Sequence, residues 1–186
     1  MRSLISLRRS FHASSAIRRQ SGFVPFFDRF SFMSSTTNYE VRSATLRDAK
    51  AIAEIDADAS QAHWREAIEY SEPQVFVALD GAQIVGFVGF DRSRDKGTPP
   101  TTGEIWKIKV SPPHQGKGIG LALWDAAREG LLEEGCSSVT LWLPLGSERA
   151  LRFHELAGFK REMNSIKTVP RGDVRIEEIR LKRSLS

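Results

Sequence analysis

Three glycines at alternate positions lie directly before a sequence typical of an α-helix. They are Gly116, Gly118 and Gly120 in the stretch VSPPHQGKGIGLALWDAA, and Lys117 lies between the first two. Glycine disfavours a helix interior, so this spacing indicates a special backbone at a helix start. Such a start exposes unpaired N–H groups and the positive end of the helix dipole. Without Cβ atoms to keep a phosphate away, and with a lysine beside it, the stretch suits a pyrophosphate.

The spacing of these glycines excludes two common nucleotide-binding motifs. A Walker loop needs Ser or Thr after its Gly-Lys pair, whereas Gly118 follows Lys117. The dinucleotide fingerprint needs a third glycine at the position that Leu121 occupies. From the glycines alone, two interpretations stay open: a phosphate-binding turn, and a turn that only allows a helix to pack closely on a strand.

The surrounding residues resemble the coenzyme A loop of the GNAT family of N-acetyltransferases. Its pattern, Gln/Arg-x-x-Gly-x-Gly/Ala, is matched by Gln115, Gly118 and Gly120. The preceding GEIWKIKV is similar to the fourth strand of that family. The later SERALRFHELAGF is similar to its C-terminal helix motif, Asn-x-x-Ala-x-x-Phe-Tyr-x-x-x-Gly-Phe. The residues that match this second motif are Ala150, Phe153, Gly158 and Phe159. The resemblance extends over residues 39–181.

This resemblance implies a fold, a co-substrate and a set of binding residues. The implied fold is α/β (α+β), with a mixed central sheet of about seven strands and four helices, whose fourth and fifth strands splay around acetyl-CoA. In that family the loop amides wrap the pyrophosphate, and backbone groups of the fourth strand pair with the pantetheine. The residues thereby expected to bind acetyl-CoA are Ile108, Lys109, Val110, Gln115, Gly116, Lys117, Gly118, Ile119, Gly120 and Ser147.

Two positions of the second motif depart from the family pattern. Ser147 replaces the usual Asn and offers a shorter hydrogen-bonding side chain to the pantetheine. His154 replaces the usual Tyr, which protonates the leaving thiolate, although some members similar to phosphinothricin-type acetyltransferases also have His there. Because an imidazolium titrates near neutral pH, we predict that His154 is the general acid. The alternative is a histidine that only packs or hydrogen-bonds.

Acetyl transfer to an amine also needs a group that removes a proton from the amine. Glu104, at the start of the predicted fourth strand, is the predicted base and would act through a water molecule. The alternative is a surface carboxylate at a strand edge. His63 and Trp64 lie on the second predicted helix, which forms part of the acceptor site in the resembling family; they line that site or belong to the core. His114 is expected to face solvent or the phosphates.

The predicted function is transfer of an acetyl group from acetyl-CoA to a primary amine of a small molecule or amino acid. Two alternatives stay open: acetylation of a protein N-terminus or lysine, and a non-catalytic acyl-CoA-binding module. No spacing of His, Cys or Asp indicates a metal site. The single cysteine, Cys136, excludes an intrachain disulfide and fits a reducing compartment. The partners expected are acetyl-CoA and an amine acceptor, for a monomer or homodimer.

The positive charge of the chain is concentrated at its N-terminus. Residues 1–33 contain six Arg and one Asp, a net charge of +5, so the whole-chain value of +4 leaves −1 for residues 34–186. A nucleic-acid-binding domain needs a basic folded surface, and this balance gives no support for a nucleic-acid partner.

The composition of residues 1–33 is that of a mitochondrial transit peptide, rich in Arg and Ser and poor in acids. The alternative is a disordered basic tail. No stretch approaches the roughly 20 apolar residues of a membrane helix, so no stable membrane insertion is expected. We predict a matrix protein with a transit-like segment (1–33), a linker (34–38) and an acetyltransferase domain (39–183). Initiation at Met33 would give a cytoplasmic product.

The elements that must position these residues follow from periodicity and turn signals. The predicted order is βααββ, βα, βα, ββ, which indicates a mixed sheet. Asp80-Gly81 predicts a tight hairpin turn. Thr45 or Asp48 is the predicted N-cap of the first helix, and Ser60 that of the second.

Overall fold

The computed structural model describes residues 39–185, which all belong to one compact unit. The predicted transit segment (1–33) and linker (34–38) lie outside the described residues. Within the described range the elements follow the predicted order. They are β1 (Glu40–Ser43), α1 (Ala49–Ile55), α2 (Gln61–Tyr70), β2 (Gln74–Asp80), β3 (Gln83–Arg92), β4 (Thr102–Val110), α3 (Ile119–Glu133), β5 (Ser138–Pro144), α4 (Glu148–Leu156), β6 (Lys160–Arg171) and β7 (Val174–Ser184).

The strands form one seven-stranded sheet in the order β1-β2-β3-β4-β5-β7-β6. Every neighbouring pair is antiparallel except β4 and β5, which run parallel. The parallel pairing is limited to residues 102–104 of β4 and 138–140 of β5, and the two strands separate beyond these residues. This topology confirms the predicted mixed sheet with a splayed fourth and fifth strand.

A β-bulge lies in β4 just past the point of separation. Gly89 of β3 pairs with Lys107, and the next residue, Phe90, pairs with Ile105, so Trp106 is the extra residue. A bulge interrupts the alternation of side chains between the two faces of a sheet. Here it places both Ile105 and Ile108 in the core beneath α3, while Lys107 lies on the opposite face against the end of α1.

Two hydrophobic clusters cover the two faces of the sheet. The larger contains Leu123 and Leu131 of α3 together with Phe90 of the sheet. The smaller contains Trp64 of α2 and Phe87 of β3, whose ring centroids lie 4.8 Å apart. Apolar burial of this kind is the main stabilising term in a fold of this size. Helices on both faces therefore hold the sheet, and with it the fork between β4 and β5, in place.

Both predicted N-cap residues, Ser60 of α2 and Asp48 of α1, stand at the N-cap position, but only Ser60 makes a capping hydrogen bond. The Ser60 hydroxyl accepts the His63 backbone N–H at 3.2 Å. Asp48 stands at the N-cap position of α1 but makes no capping bond to the helix. Its carboxylate instead accepts the Thr45 backbone N–H and pairs with the Arg42 guanidinium, both at 2.7 Å. The guanidinium draws this carboxylate outward, away from the helix amides, and lowers the Asp48 pKa to about 2.

Candidate active site

The N-terminal ends of α3 and α4 and the C-terminal half of β4 enclose a cavity of about 930 Å³. The β4 residues in its wall lie beyond Glu104, where β4 is no longer paired with β5. Eight of the ten residues predicted to bind acetyl-CoA line this cavity. They are Ile108, Lys109, Val110, Gln115, Gly116, Gly118, Gly120 and Ser147. The other two do not: the Ile119 side chain is buried in the core, and Lys117 is exposed.

The three glycines of the loop occupy two different kinds of position. Gly116 and Gly118 have φ angles of +80° and +86°, a left-handed backbone that favours glycine. Gly118 is also the N-cap of α3, so the turn ends where the helix exposes its first N–H groups. Gly120 lies where the loop packs on α4, and a Cβ atom there would lie 3.4 Å from the Phe153 ring, in ordinary van der Waals contact. Phosphate-turn geometry and close packing thus both occur, at different residues.

Gln115 ties the loop to its two neighbours. Its Nε2 donates to the Val110 carbonyl at 3.0 Å, and its Oε1 accepts from Nη1 of Arg149 at 2.5 Å. Arg149, in the first turn of α4, also lines the cavity and brings a cation to it. Sequence reasoning missed this residue, although its position two residues after Ser147 in the second motif was a usable signal. His114 lines the same wall, with its Nδ1 2.9 Å from the Ser111 hydroxyl.

A buried carboxylate in the α1–α2 connection forms ion pairs with two lysines of β4 beside the cavity. Asp56 is fully buried and accepts from Lys107 at 3.0 Å and from Lys109 at 2.7 Å. Lys109 also bonds Asp58 at 2.8 Å, and this bond lowers the pKa of the Asp58 carboxyl. The side chain of Lys109 is thereby turned toward the acids, which leaves its backbone as the part of the residue suited to a ligand. Ile55, next to Asp56, lines the cavity.

His154 lines the cavity from α4 with only 3 % of its surface exposed. Its Nδ1 lies 2.9 Å from the Ala150 carbonyl. Because a carbonyl only accepts, Nδ1 carries a proton, and the neutral ring therefore has none on Nε2. Burial lowers the His154 pKa below its ordinary value of 6.5. The neutral form with a bare Nε2 is accordingly favoured at neutral pH.

Glu104 lies at the fork between β4 and β5 and outside the cavity wall. A Cβ atom on the preceding Gly103 would meet Leu131 of α3, so Glu104 projects from the opposite face of the sheet. It is 7 % exposed, and its Oε2 accepts the Arg94 backbone N–H at 3.1 Å. The alternative of a surface carboxylate at the edge of a strand does not fit this burial.

The remaining candidate residues belong to the scaffold or the surface. Trp64 is a core residue, as its contact with Phe87 shows, and its neighbour His63 is exposed. Cys136 is buried, which raises its thiol pKa, and it packs in the larger cluster. Residues 39–185 contain no group of three metal-ligating side chains. No helix in the same range is long and apolar enough to cross a membrane.

Comparison with known proteins agrees with this site. The family model described as Acetyltransferase (GNAT) family matches residues 38–159. The mycothiol acetyltransferase of Kocuria rhizophila is 30% identical over 101 residues, which are 52% of this chain and 33% of that protein. The mycothiol acetyltransferase of Propionibacterium freudenreichii subsp. shermanii is 34% identical over 103 residues, 54% of this chain and 32% of that protein. The chain thus spans about a third of the length of these relatives.

Solved structures share the fold at low sequence identity. An N-acetyltransferase from Staphylococcus aureus Mu50 has a TM-score of 0.68 at 20% identity, over 81% of this chain and 100% of that chain. The acetyltransferase yncA of Salmonella typhimurium, solved with acetyl-CoA, has a TM-score of 0.69 at 19% identity, over 81% of this chain and 95% of that one. With the family model spanning both motifs and the cavity between them, the chain belongs to the GNAT acetyltransferase family.

Proposed function

We propose that this protein is an N-acetyltransferase that transfers the acetyl group of acetyl-CoA to a primary amine of a small molecule or amino acid. The observation that carries the proposal is the cavity at the fork of β4 and β5, walled by the left-handed glycine turn at the start of α3. Its volume of about 930 Å³ lies within the range of small-molecule sites. Membership of the GNAT family and the acetyl-CoA complex of the Salmonella neighbour support the choice of co-substrate.

The residues of the cavity suit the parts of acetyl-CoA. The Gln115 N–H donates to the Pro112 carbonyl. Backbone N–H groups of residues 116–120 and the positive end of the α3 dipole suit the pyrophosphate, and Arg149 adds a cation at the same wall. The ladder between β4 and β5 ends at Glu104. Backbone groups of residues 108–110 therefore face a gap in the sheet, where the pantetheine amides can take the place of a neighbouring strand.

The chemistry divides between the two faces of the fork. Glu104 accepts the proton of the acceptor ammonium through a water molecule, which frees the amine lone pair. The amine nitrogen then forms a C–N bond to the acetyl carbon and loses its second proton to solvent, while the C–S bond breaks and the CoA thiolate leaves. His154 protonates that thiolate only while its ring is charged. Because burial lowers the His154 pKa, its ring is mostly neutral at neutral pH. Solvent then supplies the proton, and His154 serves mainly as a polar side chain that lines the cavity.

The test is release of free thiol from acetyl-CoA with separate panels of small amines and of peptides. We expect turnover with small amines, and a rise in Tm with acetyl-CoA alone, because a ligand bound only to the folded state stabilises it. Gly118→Glu should abolish the rise in Tm by placing a negative side chain at the phosphate turn. Gly172→Glu is the matched control, since Gly172 has φ +59° and open space around a Cβ atom in the β6–β7 turn.

The outcomes separate the alternatives. Faster turnover with peptides than with free amines would assign the protein to N-terminal or lysine acetylation. A rise in Tm without thiol release from any panel would make the chain a non-catalytic acyl-CoA-binding module. An unchanged rise in Gly118→Glu would remove the glycine turn from the binding site.

A further inference from the structure

Arg149 lines the cavity with a guanidinium that forms no ion pair with any carboxylate of residues 39–185. Lys109, another cation of the same wall, is paired with Asp56 at 2.7 Å and with Asp58 at 2.8 Å. The hydrogen-bond partner of Arg149 is instead a neutral amide, Oε1 of Gln115 at 2.5 Å. Hydrogen bonds between two charged groups are stronger than those to a neutral one. The guanidinium therefore has a better partner to gain from an anion in the cavity.

The place of Arg149 in α4 is unfavourable for a cation. Arg149 is the second residue of this helix, which begins at Glu148. The N-terminus of a helix carries a partial positive charge, so Glu148 is well placed and Arg149 is not. Residues that break such a local rule are expected at functional sites. An anion beside Arg149 would be attracted by the guanidinium and by the dipole of α4 together.

Gln115 holds this guanidinium next to the glycine turn. Its Nε2 donates to the Val110 carbonyl at 3.0 Å, so the amide is fixed at both ends between β4 and α4. Gly116 and Gly118, with their left-handed φ angles, follow directly in the chain. The Arg149 side chain is exposed and is therefore able to change partners. A phosphate can thus be held by N–H groups of the turn and by a guanidinium from a different element.

We propose that Arg149 exchanges Gln115 for a phosphate group of the acyl donor, and thereby selects acetyl-CoA over thioesters of phosphate-free pantetheine. The proposal rests on the proposed function and narrows the class of donor, not of acceptor. Acetyl-CoA carries phosphate in its pyrophosphate and at the 3′ position of its ribose, and both offer the same oxygen atoms to a guanidinium. Gln115 is then a positioning residue, which keeps the guanidinium at the cavity until the donor binds.

The test measures the Kd of the full-length protein for four donors without an acceptor amine. The donors are acetyl-CoA, acetyl-dephospho-CoA, S-acetyl-4′-phosphopantetheine and S-acetylpantetheine. Calorimetry serves for the first three, and ¹H–¹⁵N NMR titration for the weaker, phosphate-free donor. Arg149→Ala should weaken acetyl-CoA binding at least about tenfold, because a charged hydrogen bond is lost. The Kd for S-acetylpantetheine should not change.

Two further variants separate the guanidinium from charge in general. Arg149→Lys should restore only part of the affinity, because an ammonium does not offer two parallel N–H donors to a phosphate. The matched control is Arg152→Ala, which removes an exposed arginine of the same helix outside the cavity wall. This variant should bind all four donors as the wild type does.

The pattern over the donors identifies the phosphate. A loss in Arg149→Ala for acetyl-CoA but not for acetyl-dephospho-CoA would assign the contact to the 3′-phosphate. A loss shared by all three phosphate-bearing donors would assign it to the phosphate next to pantetheine, and a loss confined to the two nucleotide donors to the other phosphate of the pyrophosphate. Each of these results supports the proposal.

Three results would overturn the proposal: an unchanged Kd for acetyl-CoA in Arg149→Ala, an equal loss for S-acetylpantetheine, or an equal loss in Arg152→Ala. The second would show that Arg149 only shapes the cavity. None of these measurements needs turnover. Acetyl-CoA binding that depends on Arg149 in a protein that releases no thiol with any amine would count against the proposed acetyl transfer and leave the role of Arg149 supported. Failure of the wild type to bind acetyl-CoA would remove both.

Discussion

At the scale of single residues, the two catalytic candidates lie in different environments. Glu104 is a buried carboxylate on the face of the sheet opposite α3, whereas His154 lines the cavity from α4. Each is held by one backbone group, the Arg94 N–H for Glu104 and the Ala150 carbonyl for His154. The proposed base and the proposed acid thus lie on different sides of the fork, as expected if the amine and the thioester approach from different sides.

Glu104→Gln should lower kcat by a factor of at least about one hundred, on the usual scale of general base catalysis. The amide keeps the size of the side chain and its acceptor for the Arg94 N–H but does not take a proton. Steady-state thiol release measures the change. The rise in Tm with acetyl-CoA should be retained, because Glu104 lies outside the cavity wall. A variant with wild-type kcat would show that bulk solvent removes the amine proton.

The ratio of wild-type kcat to that of His154→Ala should depend on pH. Burial lowers the His154 pKa below 6.5, so the charged ring is present only toward the acidic end of the range. If His154 is the acid, the ratio of the two kcat values should be largest at the acidic end of the range, about tenfold or more. It should fall as pH rises through the lowered pKa of His154. Thiol release from pH 5.5 to 8.5 measures it, and His154→Tyr should restore part of the rate. A ratio that is constant over this range would make His154 a positioning residue.

At the scale of elements, β4 determines the site because it changes neighbours along its length. Its first residues pair with β5, its later residues do not, and the bulge at Trp106 turns the strand at the transition. Residues 107 and 109 then reach Asp56 on one face, while Ile108 and Val110 pack on the other. One strand thus carries part of the cavity wall, Glu104 and the two lysines that bind Asp56 of the α1–α2 connection.

Gly86→Ala should destabilise the fold by about 1–3 kcal/mol, the usual cost of overpacking. A Cβ atom at this position of β3 would lie 2.9 Å from the Lys109 carbonyl and 3.1 Å from Leu123 of α3. Urea unfolding measures the change, and the displaced Lys109 backbone should also weaken acetyl-CoA binding. Gly146→Ala is the matched control, since nothing lies within 4 Å of its Cβ position. Equal stability of the two variants would contradict the packing of β3, β4 and α3.

Asp56→Asn should cost about 3 kcal/mol of unfolding free energy, because it leaves two partly buried lysines without their shared carboxylate. The loss should be accompanied by weaker acetyl-CoA binding, since Ile55 beside it lines the cavity. Glu54→Gln serves as the comparison. It removes an exposed pair with Lys50 at 3.9 Å, which should contribute under about 0.5 kcal/mol. A loss in Asp56→Asn as small as that in Glu54→Gln would show that solvent screens the buried cluster.

At the scale of the whole molecule, charge divides the chain into two parts. Residues 34–186 carry a net charge of −1, and residues 1–33 carry +5. The high pI of about 9.5 therefore describes the N-terminal segment rather than the domain. We propose that residues 1–33 are a transit peptide that directs the protein to the mitochondrial matrix, because their composition is that of such a peptide.

A reporter fused to residues 1–35 should enter mitochondria. Replacing Arg2, Arg8 and Arg9 with Glu should block import, because a transit peptide needs its positive charge and its lack of acids. Fluorescence microscopy and protease protection of isolated mitochondria measure both results. A diffuse cytosolic signal from the unmutated fusion would contradict the proposal and favour a basic tail. The same assay on the full chain would show whether initiation at Met33 gives a second, cytoplasmic product.

The amino-acid sequence by itself determined the order of elements, the glycine turn and most of the cavity wall. These depend on local rules: periodicity for helices and strands, and left-handed φ angles for Gly116 and Gly118. Only the tertiary structure decided which side chains meet across the fold. The contact of Arg149 with Gln115, the burial of Asp56 between two lysines, and Arg94 on Trp106 join residues far apart in sequence or on different elements. It also decided that His154 is buried, because desolvation depends on Phe153, Phe159 and the packing around them rather than on the residue itself.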